Sequence, residues 1–461
     1  MTSASERPPD NTPPAARAVH LTGWGRGQPM ATRLARPSHP DDAIAFLAGS
    51  DAPLIARGAG RSYGDSAVGP GYTLDMRRCD RLLDYDARSR VVTAEAGLRL
   101  IDLIAFALPR GAFPPVVPGT GEVTLGGMIA ADVHGKNHHR AGSLRRHLKW
   151  IDLLGADGQV RRLGPETEGF RRSTGGMGLT GVILRAALQL IPVETGYLRQ
   201  TVTAAPDLAG LLACIRAAER HEHVVAWIDL IAEGSACGRG YVIAADSLPR
   251  ADLPPGLAAN PFALPAPASA VVPRWIPPLP PPFRAAMRLV NARHLRGVTR
   301  HLGPKIVPWP RFFFPLDRLG NWNRLLGRRG FAQVHLLLPE KQAETTILAL
   351  VAMLSKHRLC PTLAVVKRMA ADPGAESLAF ADAGVALAVD LPRGPRLAPA
   401  ARDISALVAA AGGRFYLAKD SLLDGAELRL TDPRAADFAA WRRDCGLNVR
   451  FVSGQSERLG L

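Results

Sequence analysis

Three glycine-rich segments lie between residues 57 and 181, each beside a short apolar run, and they restrict the fold of this chain more tightly than any other feature. The first, Arg57-Gly58-Ala59-Gly60-Arg61-Ser62-Tyr63-Gly64-Asp65, directly follows the run PLIAR over 53–57, which reads as a strand. The second comprises Val117-Pro118-Gly119-Thr120 and the small-residue stretch 124–131, which continues as Asp132-Val133-His134-Gly135-Lys136-Asn137-His138-His139. The third, 173–181, reads STGGMGLTG and precedes another apolar run. Residues without a Cβ let backbone N–H groups approach a pyrophosphate, and Arg61 and Ser62 add donors. The glycines of the first loop run G-x-G-x-x-x-G, and DSAVGPG over 65–71 cannot open a helix. A Rossmann dinucleotide site therefore lacks its helix N-terminus. One such loop could be a plain turn; three together describe an extended dinucleotide cleft built mainly of backbone.

The flanking pattern mixes strands and helices, which gives an α+β class. Strands are expected over 53–57 and 91–94, and helices over 41–48 and 99–108. A hairpin is expected from 150–155 to 159–163 through the Asp157-Gly158 turn, followed by a strand or strand pair over 181–192. At 461 residues the chain is too long for one core, so two domains are expected. Residues 249–282 hold 12 prolines and read as a linker or lid without regular structure. Between 253 and 316 there is no Asp or Glu, against eight Lys or Arg. Within it Phe283, Met287, Val290, His294 and Val298 fall at helical spacing beside a stripe of Arg284, Arg288, Arg296 and Arg300. That is either a basic helix for a membrane surface or phosphate-rich ligand, or a solvated helix packed on the body. The last third offers strands over 331–339, 362–367 and 385–391. Helices are expected over 341–356 and 399–411, then the segment 414–420 and a polar tail.

The net charge of +16 favours polyanionic partners, or reflects only a GC-rich coding sequence. No run approaches the roughly 18–20 apolar residues of a membrane-spanning helix. Residues 1–20 read as a mobile tail and not a signal peptide. The five cysteines are scattered without a C-x-x-C pair, which points to a reducing compartment and away from disulfides or zinc. His134, His138 and His139 could be read as metal ligands, but neighbouring histidines diverge and no carboxylate completes the set; no metal is expected. Small residues over 126–131 permit close approach of a flat ligand, with His134 beside it.

Taken together, R-G-x-G-R-S-Y-G-D, P-G-T, T-x-G-G, HGKNHH and GGxGLTG resemble the FAD-linked oxidases of the vanillyl-alcohol oxidase (PCMH-type) fold. Within these the chain most resembles the oxidase components of decaprenylphosphoryl-β-D-ribose 2′-epimerases, enzymes of arabinan precursor synthesis for the cell wall. Leu21-Thr22-Gly23-Trp24-Gly25-Arg26, Pro315-Leu316-Asp317 with Trp322-Asn323-Arg324, and 415–421 (FYLAKDS) carry the resemblance to the C-terminus. It implies an FAD domain over 20–195, a substrate domain with an antiparallel sheet over 196–412, and a return to the FAD domain and active site over 413–461. The Pro-rich basic insertion would span 249–305.

The resemblance also implies hydride transfer from a sugar C2 hydroxyl to flavin, with a separate short-chain reductase restoring the alcohol in inverted configuration. The cofactor contacts it carries over begin with Ala56, Arg57, Gly58, Ala59, Gly60, Arg61, Ser62, Tyr63, Gly64, Asp65 and Ser66. They continue through Gly119, Thr124, Leu125, Gly126 and Gly127, then Ala131, Asp132, Val133 and His134, with Ile183 and Tyr416. Many flavoproteins of this fold tether FAD through a His in the first loop, where Arg61 and Ser62 stand here, so FAD is expected to be non-covalent. Lys419 matches the family's active-site lysine and His134 is a second catalytic candidate; a lysine against an apolar flavin face could serve as base or hydrogen-bond donor. Gln333, His335, Lys367, Phe313 and Ala388 match substrate positions. Three departures bear on the sugar: Ala388 stands for a pocket cysteine, Phe313-Phe314 for Tyr-His, and His335 for a glutamine.

The leading expectation is thus a polyprenyl-phosphoryl pentose 2-oxidase in the cytoplasm, free or peripheral at a membrane. The enzyme alternative is a soluble aldonolactone or alditol oxidase of the same fold. A basic lipid- or nucleic-acid-binding protein is the non-enzymatic alternative, but no nucleic-acid module supports it and no nucleic-acid partner is expected.

Overall fold

The computed structural model describes residues 15–263, 270–273, 275, 283–374 and 377–461. Strands 53–57 and 91–94 of the sequence reading appear as Leu54–Arg57 and Val91–Glu95. Leu54–Arg57 closes a four-stranded sheet in the order Arg17–Leu21, Met30–Ala35, Tyr72–Asp75, Leu54–Arg57, parallel except for its first pair. The Asp157-Gly158 hairpin joins Leu148–Leu154 to Val160–Leu163, with Gly158 at φ +76°. These two strands lie at one edge of a five-stranded antiparallel sheet with Leu82–Asp86, Val91–Glu95 and Val182–Gln189.

A third sheet has eight antiparallel strands, in the order Lys305–Pro308, Tyr197–Ala205, Gly240–Ser247, His223–Ile228, Leu363–Met369, Gly384–Pro392, Phe331–Leu338, Arg414–Phe415. Alternation along its strands sends Val334, Leu336, Val366, Leu387 and Val389 into the core. Helices Glu340–Lys356 and Leu397–Ala410 pack with them. Their buried residues, Ala343, Ile347, Leu350 and Leu354 in one and Leu397, Ala400, Ala401, Ile404 and Val408 in the other, recur at helical spacing. The architecture is mixed α and β, with antiparallel sheets dominant.

Four sequence expectations are corrected. The tail does not extend to residue 20, because Arg17–Leu21 pairs along its whole length with Met30–Ala35; residues 1–14 lie outside the described residues. The 249–282 segment is not free of regular structure. Pro255–Ala258 forms a helical turn, with proline at a position where no N–H is needed, and Ala270–Val271 pairs in parallel with Leu319–Gly320. Most of its later prolines lie outside the described residues. The polar tail is instead three helices, Gly425–Thr431, Arg434–Asp444 and Gly454–Leu459, around the buried Phe438, Arg442 and Phe451. Phe451 bridges Leu54, and Leu54 N donates to Arg450 O, so the chain end is built into the first sheet.

Finally, the basic helix, Arg284–Thr299, does not present its arginines as one free stripe. Arg284 donates to Leu359 O, Arg288 pairs with Glu233 and donates to Ile231 O, and His294 bonds the Tyr241 hydroxyl. Phe283, Leu289 and Val290 face outward instead. No helix among the described residues is long and apolar enough to cross a membrane.

Asp372 draws the HGKNHH loop and the strand-rich half together. Its fully buried carboxylate accepts from Ser143 N and Oγ and pairs with Arg145 (3.0 Å) and Arg146 (2.6 Å), with His138 at 3.4 Å. Burial alone would raise its pKa. The close approach of His138, the hydrogen bonds from Ser143 and the charges of Arg145 and Arg146 outweigh that and hold it well below the usual carboxylate range. Removing one partner of such a buried pair costs about 3–5 kcal/mol. Asp372→Asn is therefore expected to lower unfolding stability by that order at pH 7. Because the folded pKa is depressed, this contribution is present above the unfolded value of about 4 and lost as pH falls. The gap between parent and variant in urea titrations should accordingly narrow below about pH 4.

Candidate active site

The first two glycine-rich loops meet through contacts that a side chain would block. A Cβ on Gly58 would lie 2.1 Å from Thr124 Oγ1, so the first loop can rest on the second only as glycine. Thr124 also caps the short helix Leu125–Ala130 by accepting from Gly127 N. The third loop docks where that helix ends: Gly175 N donates to Ile129 O and Met177 N to Ala130 O. Arg57 turns its guanidinium onto Thr22 O and Ala67 O and so closes the first loop on itself. The C-terminal segment completes the floor, with Tyr63 N donating to Ala418 O and Tyr416 Oη to Ala131 O.

Opposite these loops stands one face of the eight-stranded sheet. Period-two alternation puts Gln333 and His335, then Leu363, Val365 and Lys367, then Ala388, on the same side. Between face and loops runs a cleft of ≈ 320 Å³ lined by both. Of the residues expected from sequence, Ala56 to Tyr63, Ser66, Gly119, Thr124, Gly126, Gly127, Ala131, Val133, His134, Ile183, Tyr416 and Lys419 line it. So do the expected substrate positions Gln333, His335, Lys367 and Ala388.

Five expected residues are placed elsewhere. Gly64 is pressed against Asp420 O, Asp65 forms a two-point ion pair with Arg458, and Leu125 is core. Asp132, at φ +38°, is buried against Arg145 and Ser143. Phe313, the last residue of the helix Trp309–Phe313, packs among Phe113, His223 and Phe312 and does not line the cleft. The three histidines diverge: His134 faces the cleft, His138 reaches Asp372, and His139 bonds His221 O.

Sequence reasoning gave no site role to Trp24, Trp322 or Asp317, which it quoted only as motif residues, nor to Asp390. Trp24 and Trp322 pack edge to face, and the Arg61 guanidinium lies 4.1 Å from the centre of the Trp24 ring. Asp317 ties the second loop to the segment after the helix Trp309–Phe313 by accepting from Thr120 Oγ1 and Gly121 N, both at 2.9 Å. Asp390 was legible, since it sits two residues after Ala388 in a strand and so on the same face. It is 2% exposed and accepts from Gln333 Nε2 at 2.6 Å.

The electrostatics are lopsided. Lys419 Nζ sits 3.9 Å from the Tyr63 ring centre. Loss of water around it lowers its pKa to about 8 against the opposing pull of Asp390. Lys367 is likewise lowered to about 8 by burial and by the charge of Lys419. Burial and then Lys367 hold His134 and His335 well below their ordinary values, so both imidazoles are neutral at pH 7. Arg61 Nε, Ser66 Oγ, His134 Nδ1 and both nitrogens of His335 are buried without a hydrogen-bond partner among the described residues, and all belong to residues lining this cleft. Unsatisfied polar atoms converging on glycine-lined space fit a flat, polar, phosphate-bearing ligand such as FAD. Gly119, where a Cβ would meet nothing, leaves part of that space open.

A family model described as an FAD-binding domain matches residues 32–164. The chain is 33% identical over 453 residues to decaprenylphosphoryl-β-D-ribose oxidase of Mycolicibacterium smegmatis, covering 96% of this chain and 97% of that one. More limited likenesses reach L-gulonolactone oxidase of Mus musculus (31% identical, 30% of this chain and 33% of that one) and an alditol oxidase of a Streptomyces species (26%, 37% and 42%). The cofactor is FAD.

No His or Cys stands among the first-loop residues that line the cleft. FAD is therefore expected to appear in the supernatant after acid precipitation, read by its absorbance near 450 nm (approximate, for oxidised flavin). Yellow colour retained in the denatured pellet would reveal a covalent link.

Proposed function

The chain belongs to the family of FAD-dependent oxidases that includes decaprenylphosphoryl-β-D-ribose oxidase, and from that membership we propose that it oxidises the C2 hydroxyl of a polyprenyl-phosphoryl pentose. The product would be a 2-keto sugar, which a separate reductase returns as the 2-epimer. The observation that carries this reading is the span of the likeness, 96% of one chain and 97% of the other. It therefore includes the sheet face as well as the FAD loops. The likeness to alditol oxidase covers 37% of this chain.

The proposed fold is of the vanillyl-alcohol oxidase type, with an FAD domain over 20–195 and 413–461 and a substrate domain over 196–412. Two sheets drawn from residues 17–189 and one drawn from 197–415, with the chain end paired to Leu54, support that division. Bound FAD supplies the two-electron acceptor for the hydride that leaves the carbinol carbon. Lys419 Nζ, with a pKa of about 8, is the group placed to take the hydroxyl proton, because an acid–base group works best when its pKa lies near the working pH. Neutral His134 and His335 can donate or accept single hydrogen bonds to the sugar without adding charge. The Trp24 and Trp322 rings and Leu316 give the cleft an apolar side suited to a lipid-linked substrate.

Lys419→Ala is expected to fold and keep FAD, since backbone loops supply most of the cofactor contacts. Anaerobic bleaching of its flavin by a polyprenyl-phosphoryl ribose should slow by on the order of 10²–10⁴. Loss of flavin would move Lys419 to cofactor binding, and normal bleaching would return it to a passive wall position. Bleaching of the parent by lactones or alditols, and not by the lipid-linked sugar, would favour the aldonolactone or alditol reading.

A peripheral contact with anionic membrane forms part of the same proposal. Leu289 and Val290 are exposed on the helix Arg284–Thr299 beside Arg293 and Arg296, with exposed Phe283 just before it and Arg300 just after it. Basic residues near an anionic surface contribute about 1 kcal/mol each. Replacing Arg293, Arg296 and Arg300 with Gln is expected to weaken binding to phosphatidylserine vesicles by on the order of 10²-fold, and salt should weaken the parent likewise. Binding unchanged in both tests would leave a solvated helix packed on the body.

A further inference from the structure

We propose that Asp390 is a positioning residue of this cleft: it orients Gln333 and Tyr63 and fixes the charge state of Lys419. The inference rests on the reading of Lys419 above and extends it to a residue that does not itself touch substrate.

Asp390 sits in the strand Gly384–Pro392, with Gln333 opposite on one side and Leu363 on the other. An ionised carboxylate only accepts, so the bond from Gln333 Nε2 to Oδ1 fixes the direction of the amide. The second N–H of the same amide is then free to serve the Tyr63 oxygen, and the contact with Gln333 lowers the Tyr63 pKa, as donation to the phenol oxygen does, against the larger upward push of burial. The Tyr63 ring in turn lies under Lys419 Nζ, and the Tyr63 backbone is tied to Ala418. Carboxylate and amide are thus hydrogen-bonded, and the amide, the phenol and the ammonium over its ring are packed in sequence from the middle of the sheet to the proton-handling group.

Stability alone does not favour a carboxylate here. Other buried aspartates have arginine partners: Asp152 pairs with Arg162, and Asp229 with Arg239. Asp390 makes no ion pair within 4 Å among those of the described residues, and its hydrogen-bond partner is a neutral amide. A buried charge held this way is costly, and an apolar residue or Asn would remove the cost. What the charge does is act on the cleft. The titratable and charged groups lining the cleft with Lys419 are Tyr63, His134, His335, Lys367 and Tyr416, with Arg57, Arg61 and the carboxyl of Asp317 on the loop side, where Asp317 is tied to Thr120 and Gly121. Lys419 burdens Lys367 and both histidines with positive charge, and Asp390 is the group that opposes its loss of proton. Burial pushes the Asp390 carboxyl up to about 6, so it carries its charge at pH 7 and above.

The test uses full-length, FAD-loaded protein with lysines ¹³C-methylated, the Lys419 resonance being identified by its absence in Lys419→Arg. In Asp390→Asn the Lys419 titration midpoint is expected to fall by about one pH unit, and in Asp390→Glu to stay near the parent value. The pH limb of single-turnover flavin reduction by a short-chain polyprenyl-phosphoryl ribose should move with it. Should Asp390→Asn lose its flavin, Asp390→Ser removes the same charge with a smaller side chain and carries the same expectation. An unmoved Lys419 midpoint in a flavin-retaining variant overturns the proposal and leaves Asp390 as packing. The titration needs no substrate, so a moved midpoint in a protein that the lipid-linked ribose does not reduce supports the positioning role and refutes only the substrate assignment.

Discussion

Backbone approaching backbone, with no side chain between, is the constraint on which the rest of this molecule depends. Gly58 lies on Thr124, the Leu125–Ala130 helix ends in carbonyls that receive Gly175 and Met177, and Tyr63 is fastened to Ala418. These contacts bring together segments more than 350 residues apart. They also leave the cleft floor made of amides and small residues, the surface an extended, flat cofactor requires. Larger residues at these points would separate the loops before any catalytic group was affected.

The opposite wall is governed by a different rule. Strand alternation places polar residues on the inner face of the antiparallel sheet while the outer face packs on helices, so Gln333, His335, Lys367 and Asp390 share one surface. Polar groups on such a face are expensive when they meet only one another, and His335 makes no hydrogen bond through either ring nitrogen to the described residues. The cleft therefore stores unsatisfied polarity on one side and backbone donors on the other. A cofactor and a sugar between them can satisfy both, and the excess of lysine over carboxylate suits a substrate bearing phosphate.

Holding the walls in register falls to charged groups that are not themselves in the cleft. Asp372 with Arg145 and Arg146, Asp65 with Arg458, and Arg442 on the carbonyls of Leu179, Leu447 and Phe451 each join distant parts of the chain. Such groups are costly to bury singly and stabilising only when their partners arrive together. They therefore couple closure of the cleft to completion of the fold, C-terminal helices included.

By itself the sequence determined the local elements and the cofactor loops. Hydrophobic period and turn chemistry are local, which is why the Asp157-Gly158 hairpin, the helix Glu340–Lys356 and the glycine-rich loops could be read directly. It also placed Lys419 and His134 within motifs that suggest the site. Only the tertiary structure decided which members of a motif face the cleft. Asp132 and His134 are two residues apart, yet one meets Arg145 and the other the cofactor space, because a left-handed backbone at Asp132 turns the chain between them. The same holds for the basic helix, where Arg284 and Arg288 follow the periodic stripe but are tied down by carbonyls and by Glu233 from elsewhere. Burial and partners are properties of segments that meet only in three dimensions, and no spacing within one segment encodes them.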